Sequence, residues 1–207
     1  ADSLDAGSVM TAVKNGSFYS STGPEIYEYY ESDGKISIKC SPCYKIRFVQ
    51  YDHRGKAFFS EDGKDSMTRA EFVYSPQAKY VRAECIRRDG KTAWTNPIFI
   101  TYPYPADDSG LIERTDPEKE KRDPDFAVHI KTDVVGTFEN RFPLRNGGNR
   151  YKGNLHAHSS NSDGELSPEA LCAKYADNGY SFLAVTDHRR YTNTTEYDRP
   201  GFITLPG

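Results

Sequence analysis

No stretch of the chain approaches the ~18 consecutive apolar residues that a membrane-spanning helix needs, so no membrane partner is expected. Hydrophobic residues are scarce, at 36% against 28% charged. Much of the apolar burial is therefore expected from the 15 Tyr and 11 Phe. An excess of positive charge is also missing. The net charge of −3 removes the electrostatic case for binding nucleic acid or an anionic membrane. The opening residues, ADSLDAGSV, supply neither an initiator Met nor a signal peptide. They are expected to be cut from something longer, or trimmed. Only four cysteines occur. Cys40 and Cys43 form a C-x-x-C, while Cys85 and Cys172 stand alone, and a structural zinc site usually needs a second matched pair. The favoured reading is two reduced thiols at a strand end beside Pro42, with a mild lean to the cytoplasm. The one tryptophan, Trp94, is expected in or beside a core.

What is present divides the chain in two. Residues 4–16 read as a short amphipathic helix with a stripe of Leu4, Val9, Ala12 and Val13 and a stop at Gly16. Between Tyr27 and Tyr104, alternating apolar runs recur at Lys35–Lys39, Tyr44–Tyr51, Arg69–Tyr74, Tyr80–Arg87 and Ala93–Thr101. Turn formers separate them, among them Ser32-Asp33-Gly34, His53-Arg54-Gly55, Glu61-Asp62-Gly63, Ser75-Pro76 and Arg88-Asp89-Gly90. That spacing predicts a small antiparallel β-sandwich. Three parts are expected: helix plus sandwich over 1–105, an exposed Pro-rich charged linker over 106–125, and a second unit over 126–207. In the second unit, 126–131 and 152–157 read as strands. Ser167 and Pro168 sit at the N-cap and first position of a helix that Asn178-Gly179 ends, and Ser181–Thr186 is the next strand. This is a β-α-β unit, expected to be parallel.

Chemistry concentrates between Tyr151 and Arg189. His156 and His158 alternate around Ala157, so in a strand both imidazoles face one side. Asp163 follows in a Ser-Asp-Gly turn. Asp187 and His188 end the second apolar run. Two strand ends that deliver imidazole and carboxylate to one place commonly build a catalytic divalent-metal site. Any one of these residues has a bland reading, a hydrogen-bonding histidine or a plain turn. The ordered set is far more specific.

The set closely resembles the PHP (polymerase and histidinol phosphatase) family of metal-dependent phosphoesterases. His156 and His158 match its opening H-x-H, Ser162-Asp163-Gly164 its S-D-G, and Thr186-Asp187-His188 its T-D-H. Gly201–Gly207 resembles the strand that ends just before a metal-bridging Glu. The resemblance implies a distorted (β/α)7 barrel with divalent ions (Zn, Mn or Fe) at the strand C-termini. It gives His156 and His158 to one metal and Asp163 and His188 to another, and places Asp187 in the catalytic set, orienting a ligand histidine. The implied substrate is a phosphorylated small molecule or a nucleotide. The family site also uses a Glu after the Pro-Gly, two further histidines and a late D-x-H, none of which occurs here. His53 and His129 lack the matching context. About half a site is therefore implied. Residues 1–105 loosely resemble the family's C-terminal tail, so tail precedes head. A tandem junction or a fragment of a longer product is favoured over a circular permutation. In such a tail, Tyr19, Ser20 and Thr22 are candidate phosphate contacts. A packed loop between helix and sandwich is the weightier reading of the same residues.

The expected fold is thus mixed: a β-sandwich with a leading helix, plus a partial α/β barrel. The expected function is metal-dependent phosphate-ester hydrolysis within a larger or complemented enzyme. The alternative is a non-catalytic β-sandwich binding module carrying a remnant half-barrel. Exposed strand edges also predict self-association or pairing with a missing segment.

Overall fold

Tight turns set the strand order of the first half. In the computed structural model, which describes residues 1, 3–51, 55–75, 78–100 and 149–206, Asp33 and Gly34 both adopt left-handed backbone, with φ 53° and 78°. Two such residues form the turn whose twist matches a two-residue hairpin. They join β2 (Ile26–Ser32) to β3 (Lys35–Cys43), with Ser32 opposite Lys35. β3 also pairs with β6 (Met67–Val73), which closes one antiparallel sheet. The second antiparallel sheet runs β1 (Tyr19–Ser21), β8 (Thr92–Thr95), β7 (Tyr80–Ile86), β4 (Lys45–Gln50) and β5 (Lys56–Phe59). β9 (Ile98–Phe99) pairs with the start of β7.

The two sheets share one core. Ile26, Ile36, Ile46, Phe48, Val81 and Ala83 are fully buried there. Phe48 stacks on Phe72 with ring centroids 5.2 Å apart. Tyr29 is buried and donates its hydroxyl to the Val81 carbonyl at 2.8 Å. Aliphatic side chains and cysteines carry most of this core, with Tyr29, Phe48 and Phe72 as its buried aromatics. Trp94 is a correction. It lies 37% exposed on the outer face, opposite Ser20 and Glu84 on its neighbouring strands. Residues at register-paired positions share a face, and this one points away from the partner sheet.

The β-α-β unit of the second half is parallel, as its sequence pattern predicts. β10 (Gly153–Ala157), β11 (Phe182–Val185) and β12 (Ile203–Pro206) form a three-stranded parallel sheet in that order. The connection between β10 and β11 contains α2 (Pro168–Asp177), capped by the Ser167 hydroxyl, which accepts from Ala170 N at 3.2 Å. One face of β11, Leu183 and Val185, packs with Leu171 and Cys172 of α2 and with Phe202. No barrel closes among the described residues, where β10 and β12 each leave one edge unpaired. The 106–125 linker, the 126–131 strand, His53 and His129 fall outside the described residues.

The other face of the parallel sheet is covered by the leading helix. α1 (Ala6–Lys14) sets Val9 against Ala184 and Leu205, with Leu4, Phe182 and Ile203 around them. Its end is tied to the sandwich by Asn96, whose Nδ2 donates to the Gly16 and Phe18 carbonyls at 2.7 and 3.0 Å. The helix grouped by sequence with the sandwich thus also forms a layer of the second unit. Its N-cap, Asp5, accepts from Ser8 N at 2.9 Å. The Ser3 hydroxyl, then the Ser8 amide, hold the Asp5 carboxyl down to about 2. An unfolded Asp titrates near ~3.9, so this cap stabilises α1 above that pH. Its contribution is lost as pH falls from there through about 2. Hydrogen-exchange protection of α1 amides, relative to the unfolded chain, is expected to fall over that window. Asp5→Ala should lower it at neutral pH and flatten the pH dependence. An unchanged exchange profile in the variant would refute the capping role.

Candidate metal centre

Parallel pairing brings the C-terminal ends of β10 and β11 to one edge, where open α/β sheets place their ligand sites. His158 directly follows β10, and Asp187-His188 lies two residues past the end of β11. Thr186 N donates to the Ala157 carbonyl at 2.8 Å, which keeps the two chain ends together beyond the sheet. The three imidazoles gather there. The His156 and His158 ring centroids lie 4.7 Å apart, and those of His158 and His188 4.4 Å apart. The β10–β11 register is irregular between Asn154 and Ala157, so simple strand alternation is not what aligns His156 and His158.

Asp163 arrives on the turn that follows. Its Oδ1 lies 2.7 Å from His158 Nδ1 and its Oδ2 3.6 Å from His188 Nε2. The His158 hydrogen bond is the main cause holding the Asp163 carboxyl below its ordinary range. Donor atoms of His158, Asp163 and His188 all lie within 4.8 Å of one another. His156 sits beside this trio, with its Nδ1 2.9 Å from Thr186 Oγ1. His158 thus neighbours His156 on one side and Asp163 and His188 on the other.

The donor set suits a divalent cation. His158 spends Nδ1 on Asp163, while its Nε2 is buried with no hydrogen-bond partner. Buried polar atoms are nearly always satisfied, and an orphan calls for a specific cause such as an ion. Two imidazoles and a carboxylate are hard-to-borderline donors of the kind zinc, manganese and iron accept.

Asp187 does something other than orient a histidine. It is 7% exposed, and its carboxylate accepts from Ser159 N at 2.7 Å and from the Ser159, Ser162 and Thr192 hydroxyls, each at 2.6 Å. Burial is the largest single influence on its ionisation and opposes it. The Ser159, Ser162 and Thr192 donors together outweigh that and hold the carboxyl well below the usual carboxylate range. Asp187 therefore fixes the turn that carries Asp163. The hydroxyl-rich run Ser159-Ser160-Asn161-Ser162 is the sequence signal for Ser159, and no pattern in the sequence singles out Thr192. Past His188, Arg189 takes a left-handed φ of 54°, an uncommon conformation for a side chain of its size.

Tyr19, Ser20 and Thr22 belong to the sandwich. Tyr19 packs against its core and pairs with Thr95, and burial raises its phenol pKa. Ser20 is exposed and pairs with Trp94. The Thr22 hydroxyl donates to Thr92 O at 3.2 Å and accepts from Thr92 N at 2.9 Å. Thr22 thus extends the β1–β8 pairing, as in the packed-loop reading. No protein-family model, curated protein or solved structure matches the chain.

Proposed function

We propose that this chain carries part of a metal-dependent phosphoesterase of the PHP type, completed by further residues or by another chain. One observation carries the reading: a buried, unpartnered imidazole nitrogen of His158 within a converging set of His156, Asp163 and His188. His158, Asp163 and His188 would hold the ion, and His156 lies close enough to join or to serve a second. A divalent ion at such a site lowers the pKa of a bound water and supplies Lewis-acid charge to phosphate oxygens. The protein's own part is positional. Asp163 orients the His158 ring through its contact with Nδ1. Thr186 restrains the His156 ring in the same way. Exposed Asp163 and His188, each with a side chain 64% exposed, leave the site open to a phosphorylated small molecule or nucleotide.

The test is metal content. The full chain, stripped and then supplemented with Mn(II), Zn(II) or Fe(II), is expected to retain at least one ion. His158→Ala with His188→Ala should reduce retention at this site to background without loss of the circular dichroism signal. A wild-type chain that keeps no divalent ion after supplementation would end the proposal. A second reading, a non-catalytic binding module, draws on exposed Trp94 in the cross-strand row Arg47, Glu84, Trp94, Ser20. It predicts a partner lost in Trp94→Ala and indifferent to the histidine changes.

A further inference from the structure

The C-x-x-C has a third member that sequence spacing did not reveal. Cys85 on β7 belongs to the sheet opposite β3, and its sulfur meets those of Cys40 and Cys43 between the sheets. All three sulfurs lie within 4.8 Å of one another, and Cys40 and Cys43 are 3.7 Å apart. Residues three apart on a regular strand point to opposite faces. Here the β3–β6 register shifts between Lys39 and Cys43, and both thiols turn inward, 1% and 0% exposed. Irregularities of this kind re-aim side chains and are common beside functional sites. Cysteine as a small apolar filler would need neither the shift nor the three-way meeting.

We propose that Cys40, Cys43 and Cys85 form a buried three-sulfur site for a thiophilic, low-coordinate metal ion, Cu(I) foremost. Three sulfurs at roughly 2.3 Å from a common ion stand roughly 4 Å apart, so small side-chain rotations suffice. Soft thiolates select Cu(I) and zinc over harder cations. Structural zinc almost always takes four ligands, and this enclosed trio offers three sulfurs, with all three residues buried. The exchange balances without an oxidant: Cu(I) takes two thiolates and one thiol, two protons leave to buffer, and the complex carries one negative charge.

The metal-free, reduced full chain is titrated anaerobically with Cu(I) supplied as a competing chelate. The expected result is one Cu(I) per chain, an ultraviolet thiolate-to-metal absorption band and a rise in Tm of roughly 5 °C or more. Cys85→Ser should weaken binding at least 100-fold. Cys172→Ser should bind like the parent, because Cys172 is buried in the separate α2 core. His158→Ala with His188→Ala should also leave the signal intact, which separates this site from the histidine site. Failure to take Cu(I), an unchanged Cys85→Ser, or tighter binding of Zn(II) than of Cu(I) would overturn the proposal. Should Cys85→Ser lose the native β signal, X-ray absorption of the wild-type complex decides alone. Three sulfur neighbours uphold the site, and nitrogen or oxygen neighbours reject it.

Discussion

Gly164→Ala is expected to abolish divalent-metal binding at the histidine site and to destabilise the α/β unit by about 3 kcal/mol, at the severe end for single substitutions. A Cβ at Gly164 would lie 2.1 Å from the His158 carbonyl oxygen and 2.5 Å from its carbonyl carbon. The obstacle is backbone, so no side-chain rotation relieves it. Either the His158 peptide or the Asp163 turn must move. Gly164 N also donates to the Ser159 carbonyl at 2.9 Å, and the same displacement strains that bond. His158 and Asp163 are joined at 2.7 Å, and a shift of an ångström between them breaks the shared donor geometry. Calorimetric titration with Mn(II) and urea denaturation check the two halves of the expectation. Wild-type affinity in the alanine variant would mean that this close approach does not shape the site.

How much of this was legible beforehand depends on the range of the interaction. Ser167-Pro168 announced α2, and Asp33-Gly34 announced the β2–β3 hairpin, because caps and turns are settled within four residues. The H-x-H, S-D-G and T-D-H runs mark residues that lie close together in the structure, because the sequence pattern also marks the strands and turn that carry them. The distances between them were not legible, because His158 and Asp163 lie on the segment past β10, where no strand periodicity applies. Cys85 looked solitary because its partners are on the opposite sheet, some forty residues away in sequence. Trp94 looked like core because a large indole is usually buried. The outer row from Arg47 through Glu84 to Ser20 gives it a different neighbourhood, and Arg47 Nε reaches Glu84 at 2.8 Å there. The docking of α1 on the parallel sheet joins the first residues to the last, and nothing in either segment names the other.

Asp187→Ala is expected to destabilise the β10–β11 end of the unit by about 3 kcal/mol and to weaken metal binding without removing a ligand. The alanine leaves the Ser159 amide and three hydroxyls without their common acceptor. Hydrogen bonds to a charged group contribute about 1.5–3 kcal/mol each, and stranded buried donors cost about 1–3 kcal/mol. Ser159 and Thr192 are buried, 0% and 4% exposed, while Ser162 is half-buried, so water recovers part of the loss at Ser162. Asp187→Asn keeps one carbonyl oxygen in place and should lose less, since its amide nitrogen replaces only one of the two acceptors. Hydrogen exchange over 157–163 and 186–193 reads the local effect, because both segments are anchored on this carboxylate. A role confined to ligating metal would leave that exchange unchanged in the metal-free chain. A role in holding the Asp163 turn accelerates it whether or not metal is bound, and that difference separates a turn anchor from a ligand.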